Sequence, residues 1–253
     1  MIESVNPTKQ YKLIVVMPAF NESEGIAEFV RELDVNLAKY LTSFIVIDDC
    51  STDRTSEELL ALKETELERL SVHRNSDNQG HGWSTLLGLS LALQECPDLV
   101  LACDGDGQIS GPDARNLVDE LVWGNVMVVE GSRVGGHSSF YRRAVSYVTR
   151  VLVFLRCGIM PRDANTPFRA YQLPALRSVL SQREIGGLVP NLRISAYVRK
   201  AGLEFLEVPV ISRSRRGSVA TGSTWIKSTS ILPSRRFVAF CAKALLDWTR
   251  RTS

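Results

Sequence analysis

Between residues 11 and 134 the chain repeats one unit: a short apolar run that stops on polar residues, then a stretch with helical spacing. The runs are YKLIVVMPAF, SFIVIDDC, SVHRN, DLVLACD and VMVVEGSR. Short apolar runs bounded by polar clusters read as strands buried on both faces. Strands that alternate with helices build a mostly parallel sheet covered by helices, so the expected class is α/β. In such sheets ligand sites gather at the carboxyl ends of the strands. Pro18 to Glu22, Asp48-Asp49, Asn75 to Gly82, Asp104 to Gln108 and Gly131 to Arg133 each follow a strand, so five polar clusters converge on one edge.

Composition narrows the class. A chain of 253 residues with 44% apolar and 23% charged residues can bury a sizeable core. Five cysteines with no CxxC pair, and three scattered histidines, predict neither a disulfide framework nor a zinc site. The opening MIESVNPTKQ has no apolar core of a secretory leader, so the expected location is cytoplasmic or the cytoplasmic face of a membrane. The net charge of +2 conceals two opposed halves. Residues 1–141 carry 10 basic against 23 acidic side chains, and residues 142–253 carry 20 against 5. The acidic half suits a cation and the basic half an anion or anionic surface.

The remaining elements are read more coarsely. Ser23 is the expected N-cap of a first helix reaching about Tyr40. FYRRAVSYVTRVLVFLRCG reads as a helix with Val145, Val148, Leu152 and Leu155 on one face and Arg142, Ser146 and Arg150 on another. A loop, PRDANTPFRAYQL, leads into a strand; VPNLRISAYVRKAG is helical, and LEFLEVPVISR is a strand that exits into the basic SRRGSVATGSTW. The main domain is expected over 1–220, with a basic amphipathic segment over 221–253. That segment contains FVAFCAKALLDW, too short to span a bilayer and interrupted by Lys243 and Asp247, so it predicts peripheral membrane contact or packing on its own domain.

The stretch LVLACDGDGQIS carries the most chemistry. Asp104 and Asp106 leave a strand end at i and i+2, with Gly105 removing the bulk between them. Paired carboxylate oxygens suit Mg²⁺ or Mn²⁺, which keep waters and bridge to substrate phosphates, and Gln108 could add a neutral oxygen.

MPAFNES, VIDDCSTDRT, NQGHG, DGDGQ and EGSR, in that order on successive strands, resemble the GT-A fold glycosyltransferases of family 2, and within them the dolichyl-phosphate mannose synthase and polyprenyl-phosphate glycosyltransferase branch. The resemblance covers roughly residues 11–175. It implies a Rossmann-like GT-A domain and a nucleotide-diphospho-sugar donor held by Pro18, Phe20, Asn21, Glu22, Asp49 and Gly80. It implies a metal bound by Asp104, Asp106 and Gln108. It also implies an acceptor phosphate received by Arg133, Arg142 and Ser146. The basic loop RSRRGSVATGSTW departs from the branch's pattern and leaves Arg213, Arg215 and Arg216 unassigned.

The residues themselves bear on the acceptor. A phosphate is already ionised at neutral pH and needs cations rather than a general base, whereas an alcohol needs a base within reach. Asp163 stays open between three roles: catalytic base, partner of Arg169, and an Asx-turn before Pro167. His81 reads as a loop or donor-side contact. The expected activity is inverting, metal-dependent sugar transfer to a lipid phosphate, with Asp104, Asp106, Arg133 and Asp163 as the catalytic candidates. The alternatives are transfer to a hydroxyl of a soluble glycan, protein or metabolite, and a basic binding module with a degenerate donor site. Nucleic acid is not an expected partner, since the basic residues lack interleaved aromatics; with neither GxGxxG after a strand nor Walker A, no dinucleotide fingerprint or P-loop is read either.

Overall fold

The computed structural model describes residues 9–135, 140–216 and 235–249, by backbone alone at 140–142 and 235–240. Strands β1 (Lys12–Ala19), β2 (Leu41–Asp48), β3 (Leu70–Arg74), β4 (Leu99–Ala102) and β5 (Val128–Val134) alternate with helices α1 (Ile26–Asn36), α2 (Thr55–Thr65), α3 (His81–Gln94) and α4 (Gly111–Trp123). Then follow α5 (Phe140–Cys157), β6 (Arg169–Gln172), α6 (Leu173–Leu180), a 3-10 turn (Arg183–Ile185), α7 (Pro190–Lys200), β7 (Phe205–Ile211) and α8 (Arg235–Thr249). The strands form one sheet in the order β3-β2-β1-β4-β6-β5-β7. All neighbours run parallel except at β6, which is antiparallel to both β4 and β5. The α/β reading therefore holds, with one reversed strand inserted beside β4.

Alternation along β1 explains the layers. Leu13, Val15 and Met17 face a core with Phe29, Leu33, Leu117 and Leu121 of α1 and α4. Ile14 and Val16 face the other, with Leu89, Leu176, Ile194 and Val198 of α3, α6 and α7. Strands buried on both faces need this unbroken apolar run, because successive side chains point to opposite sides. The polar residues are thereby pushed to the strand ends.

Three local expectations are corrected. Ser23 does not cap α1; Gly25 occupies that position without a side-chain bond, and the Ser23 amide donates to Asp53 Oδ2 at 3.1 Å. The helix stops at Asn36, and Tyr40 turns inward to donate to Asp119 Oδ1 at 2.6 Å before β2 begins. On α5 the buried residue among 143–157 is Val153, while Val148 is 53% and Leu155 74% exposed. Of the expected face Leu152 is packed, and the helix meets α7 and α8 on the side that runs from Leu152 to Val153 and Cys157.

Candidate functional site

Four of the five edge clusters lock together around the end of β1. The Gly105 amide donates to the Pro18 carbonyl at 3.1 Å, joining the acidic loop to β1. A Cβ at residue 105 would stand 2.9 Å from Ile26 Cδ1 and 3.1 Å from the Pro18 oxygen, so only glycine permits this approach. Asn21 takes a left-handed conformation, φ 55°, which a short amide side chain tolerates. Its Oδ1 accepts from the Thr52 amide at 2.8 Å and its own amide donates to Ser51 Oγ at 3.0 Å, so the ends of β1 and β2 are laced together. Phe20 is half-buried beside it.

The paired acids after β2 are both buried and do different things. Asp48 accepts from the Ser51 amide at 2.9 Å and from Arg74 at 3.1 Å. Asp49 accepts from the amides of Gln79 at 2.9 Å and Gly80 at 2.8 Å, and from Asn75 Nδ2 at 2.7 Å. Asp49 thus shapes the loop that delivers His81, the first residue of α3. His81 Nε2 lies 2.6 Å from Asp104 Oδ1, a pairing the sequence did not reveal.

Asp104, Asp106 and Gln108 are half-buried and alternate with buried residues along the loop. Burial alone would raise the Asp104 carboxyl, but His81, with help from Arg133 and Arg215, outweighs it and holds the group below its ordinary value. The Asp104 charge in turn raises His81. Asp106 has no such partner; burial, then repulsion from Asp104, pushes it up to about 7. Its Oδ1 accepts only the Gln108 amide, at 3.1 Å. Among the described residues no third carboxylate, histidine or cysteine completes a protein cage for a metal ion. Two hard oxygen donors, of which Asp106 lacks a paired cation, nevertheless fit Mg²⁺ or Mn²⁺, ions that fill their remaining positions with water and substrate oxygens.

Arg133 and Asp163 form the second half of the site. Asp163 Oδ2 accepts from Arg133 Nε at 2.6 Å and Oδ1 from Arg133 Nη2 at 3.1 Å. Oδ1 also accepts from the Asn165 amide at 3.3 Å, so the Asx-turn reading is right in part. The Arg169 alternative is not: Arg169 pairs with Glu130 at 2.9 Å in the core. Ser146 lies exposed on α5, where Arg150 Nε donates to the Pro161 carbonyl at 2.7 Å. The Arg142 side chain lies outside the described residues, as does most of 221–253.

The segment after β7 was the largest omission. Glu22 is buried, and Arg215 forms a two-pronged ion pair with it. Burial raises the Glu22 carboxyl despite Arg215. A basic run leaving a strand at the ligand edge was the available signal; the partner could not be read from it.

An uncharacterised protein of Methanocaldococcus jannaschii is 25% identical over 90% of this chain and 92% of its own length. A UDP-N-acetylglucosamine–dolichyl-phosphate N-acetylglucosaminyltransferase of Methanococcus voltae is 24% identical over 84% of this chain and 90% of its own. An undecaprenyl-phosphate 4-deoxy-4-formamido-L-arabinose transferase of Klebsiella pneumoniae is 25% identical, and the match spans 60% of that relative's length. Among solved structures, glucosyl-3-phosphoglycerate synthase of Mycobacterium tuberculosis, in complex with Mn²⁺, UDP and glucosyl-3-phosphoglycerate, shares the fold with TM-score 0.61 and 20% identity over 83% of this chain and 73% of its own. The family model described as glycosyl transferase family 2 matches residues 14–180, which contain every edge cluster built above, and the chain therefore belongs to that family and is a glycosyltransferase.

Proposed function

We propose that the protein transfers a sugar, with inversion, from a nucleotide diphosphate donor to a lipid phosphate, and that Asp104 and Asp106 hold the Mg²⁺ or Mn²⁺ the reaction needs. The observation that carries this reading is the half-buried pair of Asp104 and Asp106 at the carboxyl edge of the sheet, where burial, then repulsion from Asp104, pushes Asp106 up to about 7. The bound ion would supply charge neutralisation at the leaving diphosphate. The crevice of Pro18, Phe20, Asn21 and Glu22, with Asp49 and Gly80 behind it, would enclose the nucleoside. Asp163 keeps both oxygens on Arg133 and so acts as an anchor: it aims the guanidinium, whose planar fork suits a phosphate nucleophile. The relatives named for dolichyl-phosphate and undecaprenyl-phosphate support the same acceptor class.

Contact with a membrane surface fits this acceptor. Among the described residues no helix is long and apolar enough to cross a membrane. The exposed Tyr147, Val148 and Leu155 of α5 and Leu245 and Leu246 of α8 are among the apolar groups that could dock shallowly at its cytoplasmic face.

The direct test incubates the protein with radiolabelled UDP- and GDP-sugars, Mn²⁺ and a polyprenyl phosphate, and counts butanol-extractable, acid-labile label. Metal-dependent incorporation with at least one donor is expected. No incorporation with any of them would count against lipid transfer. In the same assay Asp163→Asn is expected to raise the acceptor KM about tenfold with a smaller change in kcat, the pattern of a lost binding contact. A collapse of kcat with donor binding intact would make Asp163 a base and the acceptor a hydroxyl.

A pH prediction follows from Asp106. Its folded-state pKa lies above the ordinary carboxylate value, so without metal the native protein gains stability from that proton at low pH. This gain fades as pH rises to about 7. Metal needs the ionised form, so its affinity should fall up to about tenfold per pH unit below that point. The Mn²⁺-induced rise in melting temperature is therefore expected to be larger at pH 8 than at pH 5.5, read by calorimetry at both.

A further inference from the structure

Outside the motifs, one carboxylate holds three partners at the ligand edge, as many as Asp49 does. Glu32 sits on α1, two turns beyond the β1 loop, and its side chain is 19% exposed. Its Oε1 accepts from the Gly111 amide at 2.6 Å, at the first residue of α4, where an unsatisfied amide and the positive end of the helix favour an anion. The same oxygen receives Arg213 Nη1 at 3.3 Å, and Oε2 receives Arg216 Nη2. Those arginines belong to the stretch that leaves β7 and crosses the acidic loop. There the Arg213 amide donates to the Gln108 carbonyl and the Arg216 amide to the Asp106 carbonyl, both at 2.9 Å.

The crossing is close. At Gly107, φ 69°, an added Cβ would stand 2.7 Å from Arg216 Cδ, and at Gly25 one would stand 2.5 Å from Arg216 Cβ. The Arg216 guanidinium lies 5.8 Å from the centre of the Phe29 ring on α1. Glu28 also pairs with Arg216, at 2.9 Å, but that carboxylate is 76% exposed and contributes little. Glu32 is therefore the tie: one side chain fastens the far end of the acidic loop to α1 and pins the basic strap down upon that loop. A simple helix cap would need only the Gly111 amide.

We propose that Glu32 is a positioning residue for the acidic loop, holding the 213–216 strap against Asp106 to Gln108 and so fixing where the Asp106 carboxylate stands. This rests on the reading of Asp104 and Asp106 as metal ligands, and the test separates the two. Mn²⁺ binding, by the electron paramagnetic resonance of the free ion, and amide hydrogen exchange are measured on wild type, Glu32→Gln, Arg216→Ala and the surface control Glu66→Gln. Arg216→Ala releases the strap from its other side and serves if Glu32→Gln does not fold.

Glu32→Gln is expected to weaken Mn²⁺ binding on the order of tenfold, the usual effect of losing a group that orients a ligand. It should also speed exchange at residues 213–216 and 106–111, while Glu66→Gln changes neither. Folded Glu32→Gln and Arg216→Ala proteins that bind Mn²⁺ like wild type, or whose strap exchanges no faster, would overturn the proposal. Wild type that binds no Mn²⁺ would overturn the metal reading instead, while the exchange data still decide whether Glu32 holds the strap.

Discussion

Replacing Asp106 by Asn is expected to lower kcat for sugar transfer about 10²–10³-fold, the range seen when one group stabilising transition-state charge is removed. The change is nearly isosteric, and the amide oxygen can still accept from the Gln108 amide, so the loop keeps its internal bond. What disappears is the charge. Asp106 is the cleaner of the two acids to test, because Asp104 also holds His81 and its loss would free α3's first residue. The stability of the variant moves the other way. A carboxylate driven up to about 7 by burial and a like-charged neighbour strains the metal-free fold, so the Asn protein should melt no lower than wild type near neutral pH. It should also lose the pH dependence of stability that Asp106 contributes between the ordinary carboxylate range and neutrality. Activity and stability changing in opposite directions would mark a site whose charge is kept for function. A variant that retains Mn²⁺-dependent transfer at the wild-type rate would remove Asp106 from the reaction.

The same physics decides which features the sequence disclosed. Strands β1 to β5 were legible because parallel strands are apolar on both faces and leave their polar residues at the ends. The convergence of Glu22, Asp49, Asp104 and Arg133 on one edge then followed from topology alone. Strand β6 was read after the loop PRDANTPFRAYQL, but its reversed direction was not. It has four residues, with Arg169 opposite Ala102 on one side and Glu130 on the other, and no spacing signal marks which way so short a strand runs. The partners of charged residues were equally hidden. Asp163 takes Arg133 rather than Arg169 because Glu130 already claims Arg169 from the neighbouring strand. A glutamate inside the apolar run VMVVEGSR was a usable signal, since a buried acid requires a cation, but no spacing rule names which one. On α5 Leu152 borders both apolar sides, and the position of α7 turns the buried side toward Val153 and Cys157.

Removing Glu130 is expected to be the most destabilising single change in the molecule. The residue is 1% exposed and accepts from Arg169 Nε at 2.9 Å and Arg199 Nη1 at 2.7 Å. Around it, Arg169 also donates to the Thr166 carbonyl at 2.7 Å and Asn191 Oδ1 at 3.0 Å, and Arg199 to Glu207 at 3.0 Å. Glu130→Ala would leave the buried Arg169 without a carboxylate partner and Arg199 with Glu207 alone, a loss of about 3–5 kcal/mol. In a chain of this size that corresponds to a fall in melting temperature on the order of 10 °C. Burial raises the Glu130 carboxyl, but Arg169 and Arg199 outweigh it and hold it below its ordinary value. Its contribution is therefore complete above the ordinary carboxylate range and is lost as pH falls through the lowered folded-state value. The gap between wild type and variant in urea unfolding should accordingly be widest near neutral pH and narrow in acid. Replacing Arg199 by Leu in the same chain removes one of the two cations, so the double variant should recover part of the loss, a coupling a double-mutant cycle reads directly. Since the Thr166 hydroxyl donates to the Gly131 carbonyl two residues before Arg133, a loosened network should also weaken acceptor binding before it affects the donor. A loss of less than about 1 kcal/mol for Glu130→Ala would mean that water or rearranged side chains replace the carboxylate, and that the charged core is not what holds β5 and β6 together.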